Sequence, residues 1–217
     1  MLVAHIDRLG RIYSGPEIQG LEAETNLCTH AHGYTCPSCG KSVIYNDAST
    51  DQPFEYFEHA DGSTDCFETS SVSDAHRVAT EITLKALYNR IREVTGETVE
   101  IDVERWIGVR EDFVIADVRV TSPVQVAAEI YYKSARLALG RKLNTMFKNG
   151  YQTYLIIHRD GCHDADRIER YIRRVAPLHV GRFNPTTLKV NLGDLFSDQK
   201  FELNSANREQ LPNYIAW

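Results

Sequence analysis

Two acids and an amine near the middle of the chain are the residues best placed to do chemistry. Asp117 lies in FVIADVRV with apolar residues on both sides, and Glu129 lies in the next apolar stretch, VAAEIYYKS. Side chains alternate along a strand, so Glu129, Tyr131 and Lys133 share one face. A carboxylate inside a buried-looking strand is costly unless it binds a partner. Two carboxylates on neighbouring strands can hold a divalent ion through hard oxygen ligands, and such an ion offsets phosphate charge and activates water. An ammonium beside them can orient hydroxide or stabilise a pentavalent phosphorus. The pattern points to phosphodiester hydrolysis around Asp117, Glu129 and Lys133. The competing account is a charge pair on a solvated strand face.

A second constellation is metal-like. Cys36 and Cys39 form CPSC, a knuckle spacing that presents two thiolates to one ion, and His59 and Cys66 follow in polar contexts. Three thiolates and an imidazole suit tetrahedral zinc, which would pin a module whose own core is thin. Cys28, His30 and His32 are spare candidates that could replace one ligand or build a second site. Cys162 and His163 carry no comparable spacing. A site with four protein ligands keeps no open position, so the expected zinc is structural.

The 217 residues allow one domain, or one domain with a small module, with ordinary hydrophobic content. The five cysteines are an odd number and argue for thiols or metal over a disulfide framework. Net charge is −6, yet residues 133–182 hold 11 Lys/Arg against 4 Asp/Glu. Arg136, Arg141, Lys142 and Lys148 fall in a stretch without acids, a candidate phosphate-gripping face for DNA, with solvated helix faces as the alternative. Asp7 and Arg8 interrupt any apolar leader, and no apolar run is long enough for a bilayer, so a cytoplasmic protein without a membrane partner is expected.

The elements that must position these residues are legible in outline. LVAHIDRLGRIYSG reads as a hairpin turning around Gly10, and residues to about 70 offer only short strands such as SVIYN and FEYFEH. A helix follows, capped by Ser73 or Asp74 and stopped by Gly96. Its apolar residues lie on two sides, which predicts a helix packed between elements. Three Val/Ile-rich strands (98–108, 112–121, 124–134), a helix to Gly150, a strand YQTYLIIHR, a charged helix 164–175 and further short strands complete the order. This is an α/β arrangement with a mixed sheet. The expected division is an N-terminal hairpin and zinc-knuckle module, 1–70, and an α/β domain, 71–217.

CPSC (36–39), YFEH (56–59), SDAH (73–76), ADV (116–118), EIYYKS (129–134) and NGYQTYLII (149–157) occur in an order that resembles the competence protein CoiA-like nucleases of the PD-(D/E)xK superfamily. The resemblance covers roughly residues 1–160. It implies a restriction-endonuclease-like mixed sheet flanked by helices, with an N-terminal zinc-binding β module, and a Mg²⁺- or Mn²⁺-dependent deoxyribonuclease acting in DNA uptake, recombination or defence. It adds Glu81 or His76 on the first helix as further metal-proximal residues, against which Glu81 with Lys85 reads as a surface pair. The chain departs from the pattern at Tyr56, Val72, Thr80 and Tyr131, which stand where the family has His, Glu, Lys and the third motif residue. Tyr131 cannot donate an ammonium. Lys133 as a migrated lysine, or a catalytically inactive protein that binds nucleic acid or scaffolds a complex, both follow from that departure.

Overall fold

The structure is a computed structural model that describes residues 1–6, 10–18, 33–37, 39–50, 54–63, 73–109, 112–132, 136–175 and 178–193. The chain forms two compact units, Met1–Gly96 and Glu97–Trp217. The boundary expected near residue 70 thus falls after the first helix. The reason is visible in that helix's bonds, which run to the N-terminal hairpin.

The first unit is a five-stranded sheet and one long helix. Strands β1 (Val3–Ile6), β2 (Arg11–Ser14), β3 (Tyr34–Thr35), β4 (Ser42–Asn46) and β5 (Tyr56–His59) lie in the order β2-β1-β3-β4-β5. Every pairing among them is antiparallel. Ala4, Ile6, Ile18, Tyr34, Val43 and Phe57 form the core. Helix α1 (Asp74–Thr95) is capped by the Ser73 side chain, which accepts from the His76 N–H, and ends at Gly96. Residues 79–84 are buried in succession, so the helix is enclosed around its whole circumference at that level, as its two apolar sides predict. Asn89 holds β2 by accepting from the Ile12 N–H at 3.0 Å and donating to the Ile12 carbonyl at 2.7 Å. Lys85 bonds Glu17 at 2.7 Å.

The second unit is a six-stranded mixed sheet in the order β11-β10-β9-β8-β7-β6. Its elements are β6 (Glu100–Val109), β7 (Asp112–Ser122), β8 (Val126–Tyr131), α2 (Arg136–Lys148), β9 (Gln152–His158), α3 (Ala165–Val175), β10 (His179–Asn184) and β11 (Lys189–Asn191). β6, β7 and β8 run as an antiparallel meander, and β8–β9 and β9–β10 are parallel. Parallel neighbours need a crossover, and α2 and α3 supply the two. All six residues of β8 are buried, and Tyr131, Leu155, Ile157, Leu139, Leu143, Ile168 and Ile172 join sheet and helices in one core. No helix among the described residues is long and apolar enough to cross a membrane.

Gly15 follows β2, and a Cβ placed there would lie 2.0 Å from the Glu55 carbonyl oxygen, a backbone atom. Backbone cannot step aside as a side-chain tip can. Gly15→Ala is therefore expected to destabilise the first unit by about 2 kcal/mol or more, read as a lowered midpoint in chemical denaturation.

Candidate metal centres

The knuckle folds as the sequence predicts. Cys36 follows β3, and the chain doubles back to β4 through Gly40, whose φ of 70° suits a residue without a Cβ. The Gly40 N–H donates to the Cys36 carbonyl at 2.9 Å, and the Cys36 N–H to Lys41 at 2.8 Å. His59 ends β5 and pairs with Val43, which brings it to the knuckle. The ligand atoms of Cys36, Cys39 and His59 all lie within 4.8 Å of one another. His59 Nδ1 donates to the Ser63 carbonyl at 2.7 Å, which leaves Nε2, 3.3 Å from Cys39 Sγ, as the nitrogen with the lone pair. Two sulfurs and an imidazole nitrogen so arranged fit zinc. Cys66, the expected fourth ligand, lies outside the described residues, as do Cys28, His30 and His32. Cys162 joins the apolar core of the second unit.

The acid pair is also brought together. In the β7–β8 register Val118 faces Ala128, Arg119 faces Ala127 and Val120 faces Val126, which sets Asp117 across from Glu129. Both are buried, at 6% and 3% exposure. The ladder stops at Val118, and Asp117 makes good the gap: its Oδ2 accepts from the Ile130 N–H at 2.7 Å. Lys142 reaches in from α2. Its Nζ lies 2.6 Å from Glu129 Oε1 and 4.0 Å from Asp117 Oδ1.

Lys142 corrects the sequence reading, which placed it on a DNA-gripping surface with Arg136, Arg141 and Lys148. Leu139, Leu143 and Met146 are buried on α2, and position 142 falls on their stripe at helical spacing. That stripe was the signal in the sequence. Arg141 is exposed and Lys148 half-buried. Strand β8 ends at Tyr131, whose ring packs into the core with Leu139 and Leu143; Lys133 lies outside the described residues.

Glu81 and His76 sit on α1 in the first unit. Glu81 is buried and is no surface partner of Lys85: its carboxylate accepts from the Leu2 backbone N–H. Burial, opposed by the amino terminus and that bond, holds its pKa above the usual range. His76 is half-buried in the first turn.

Electrostatics make the acid pair unusual. Burial raises the Glu129 pKa well above 4.5, and repulsion from Asp117 raises it further, with Lys142 opposing both. Burial pulls the Lys142 ammonium down, but the attraction of Glu129 and Asp117 more than offsets it, so its pKa lies above 10.5 and it stays charged. One ammonium thus serves two carboxylates, and Glu129 Oε2 is buried without a hydrogen-bond partner among the described residues. An orphaned carboxylate oxygen beside a second acid fits a hard divalent cation.

Comparison of the chain with protein-family models, with curated proteins and with solved structures finds no match.

Purified protein is expected to carry one zinc per chain by elemental analysis, with Cys36→Ser, Cys39→Ser and His59→Ala each losing it and, with it, much of the first unit's resistance to unfolding. The acid pair has its own pH signature. Below about pH 4.5 Glu129 is protonated whether folded or not; as pH rises, the unfolded chain releases that proton first, so stability is drawn down until the raised folded pKa is passed. Glu129→Gln removes this loss. In chelator-treated buffer its melting temperature should gain on wild type as pH rises above about 4.5.

Proposed function

We propose that this chain is a metal-dependent nuclease that cleaves phosphodiester bonds in DNA. The observation that carries the reading is the meeting of Asp117 and Glu129, from adjacent antiparallel strands, at Lys142, with Glu129 Oε2 buried and without a hydrogen-bond partner among the described residues. The order β6, β7, β8, α2, β9, with β8 and β9 parallel, supports a restriction-endonuclease-like core. The CoiA-like order of motifs supports it further, and with it a role in uptake, recombination or defence.

Asp117 and Glu129 would hold Mg²⁺ or Mn²⁺, which when bound neutralises phosphate charge and lowers the pKa of water. Lys142 takes the part the sequence gave to Lys133. Its charge is secured by the two acids, and its Nζ stands beside the oxygens nearest the reacting phosphate, where it can stabilise the negative charge that grows in the transition state. Asp117 has a fixed orientation because Ile130 holds Oδ2, leaving Oδ1 turned to the site. Trp106 is 59% exposed and stacks on Phe113 with centroids 4.2 Å apart, a surface on which an unpaired base could rest.

A second reading is DNA binding without cleavage, favoured by the 2.6 Å Lys142–Glu129 ion pair that closes the site and by the buried Tyr131 at the motif position. One experiment separates the two. Plasmid and single-stranded DNA are incubated with Mn²⁺ or Mg²⁺ and wild-type protein, Asp117→Ala, Glu129→Ala or Lys142→Ala. Nuclease action predicts metal-dependent cleavage that each substitution lowers by about 10²-fold or more. Cleavage equal in all four would remove the assigned site. Salt-sensitive binding with no cleavage, weakened by Arg141→Ala and indifferent to Asp117→Ala, would leave the second reading.

A further inference from the structure

We infer that Asp61 and Lys41 are positioning residues of the knuckle metal site, holding Ser63 so that its carbonyl fixes the His59 ring with Nε2 turned to the thiolates. The inference rests on the zinc reading of that site and is independent of the nuclease proposal.

The ligands come from two arms of the first unit. Cys36 and Cys39 belong to the turn between β3 and β4, and His59 ends β5. Strand pairing brings the arms together, since Val43 faces His59. Pairing sets a backbone, however, and leaves the direction of a ring open. A neutral imidazole also has two tautomers, and only one of them offers Nε2 as a ligand. One bond decides both direction and tautomer: Nδ1–H donates to the Ser63 carbonyl at 2.7 Å. The geometry of the ligand therefore depends on where Ser63 is held.

Asp61 and Lys41 hold it. Asp61 Oδ1 accepts from the Ser63 backbone N–H at 3.0 Å, and Asp61 Oδ2 accepts from Lys41 Nζ at 3.0 Å. The same ammonium donates to Ser63 Oγ at 3.1 Å. Ser63 is gripped at its N–H and its hydroxyl, and its carbonyl faces the ring. The Gly62 N–H closes the turn on the His59 carbonyl at 2.9 Å. Lys41 belongs to the other arm as well, because its own carbonyl accepts from the Cys36 N–H at 2.8 Å. One residue thus joins the thiolate turn through its backbone and the imidazole loop through its side chain. Folding stability does not account for the arrangement. The Lys41 and Asp61 side chains are 49% and 52% exposed, and ion pairs so open to water contribute little. Their bonds converge instead on the residue that orients a metal ligand, and groups behind a ligating histidine change metal affinity by about 10- to 100-fold.

The test measures zinc affinity of the full-length protein by competition with a chromophoric chelator. Wild type is compared with Asp61→Ala, Lys41→Ala, the double variant and Arg90→Ala, which breaks an exposed ion pair with Glu93 elsewhere in the first unit. Asp61→Ala and Lys41→Ala should each weaken zinc at least about tenfold. The double variant should lose little more than either alone, because the two side chains act as one bridge, and Arg90→Ala should match wild type. In the zinc-loaded protein the His59 Nδ1 proton should be a slowly exchanging NMR resonance in wild type and exchange with water in both single variants. A merely stabilising ion pair would not move that signal. Both truncated side chains are half exposed, so neither variant opens a cavity in the core. Either single variant binding zinc as tightly as wild type, losses that add in the double variant, an equal loss in Arg90→Ala, or a ring proton that stays protected overturns the inference and leaves the zinc site standing. Wild type that binds no zinc overturns the site as well.

Discussion

A single ammonium shared by two buried carboxylates governs the second unit. Lys142 sits on the helix that must cross from β8 to its parallel neighbour β9, and the ion pair it forms with Glu129 ties that helix to the centre of the sheet. Burying a carboxylate in a strand with no exposed residue is unfavourable unless a partner compensates, and Lys142 supplies that partner to Glu129 while carrying a burial cost of its own. Apolar residues of similar size would pack there without that cost.

The backbone around that interaction is adapted to it. Ladder pairing between β7 and β8 ends one residue short of Asp117, and the carboxylate itself takes the amide left over at Ile130. Asp117 is thus held by the sheet's own unsatisfied hydrogen bond, with one oxygen committed and one turned toward Lys142. Regular strands on either side supply the rigidity that keeps such a local departure in place.

The first unit solves a different problem. Its sheet has strands of two to five residues and a small core, and short strands alone bury too little apolar area for stability. Two devices supplement that core. Helix α1 bonds Leu2 just ahead of β1 through Glu81, Glu17 just past β2 through Lys85, and β2 itself through Asn89, and the Cys36, Cys39 and His59 cluster draws the β3–β4 turn to the end of β5. The His59 ring is oriented by Ser63, a few residues along the same chain, so the ligand's direction does not depend on the metal.

Much of this was legible in residue types and spacing. CPSC and a later His read as a knuckle because thiolate pairs at that spacing have few other uses, and Ser73 and Gly96 bounded α1 because their preferences are local. Asp117 and Glu129 stood out because acids are rare inside Val- and Ile-rich runs. What the sequence determined by itself was therefore the local grammar: which segments are strand or helix, and which side chains are too costly to bury idly. Tertiary structure decided that Lys142 meets the acids, because the crossover helix α2 returns this position, 13 residues past Glu129, to the strand that carries Glu129.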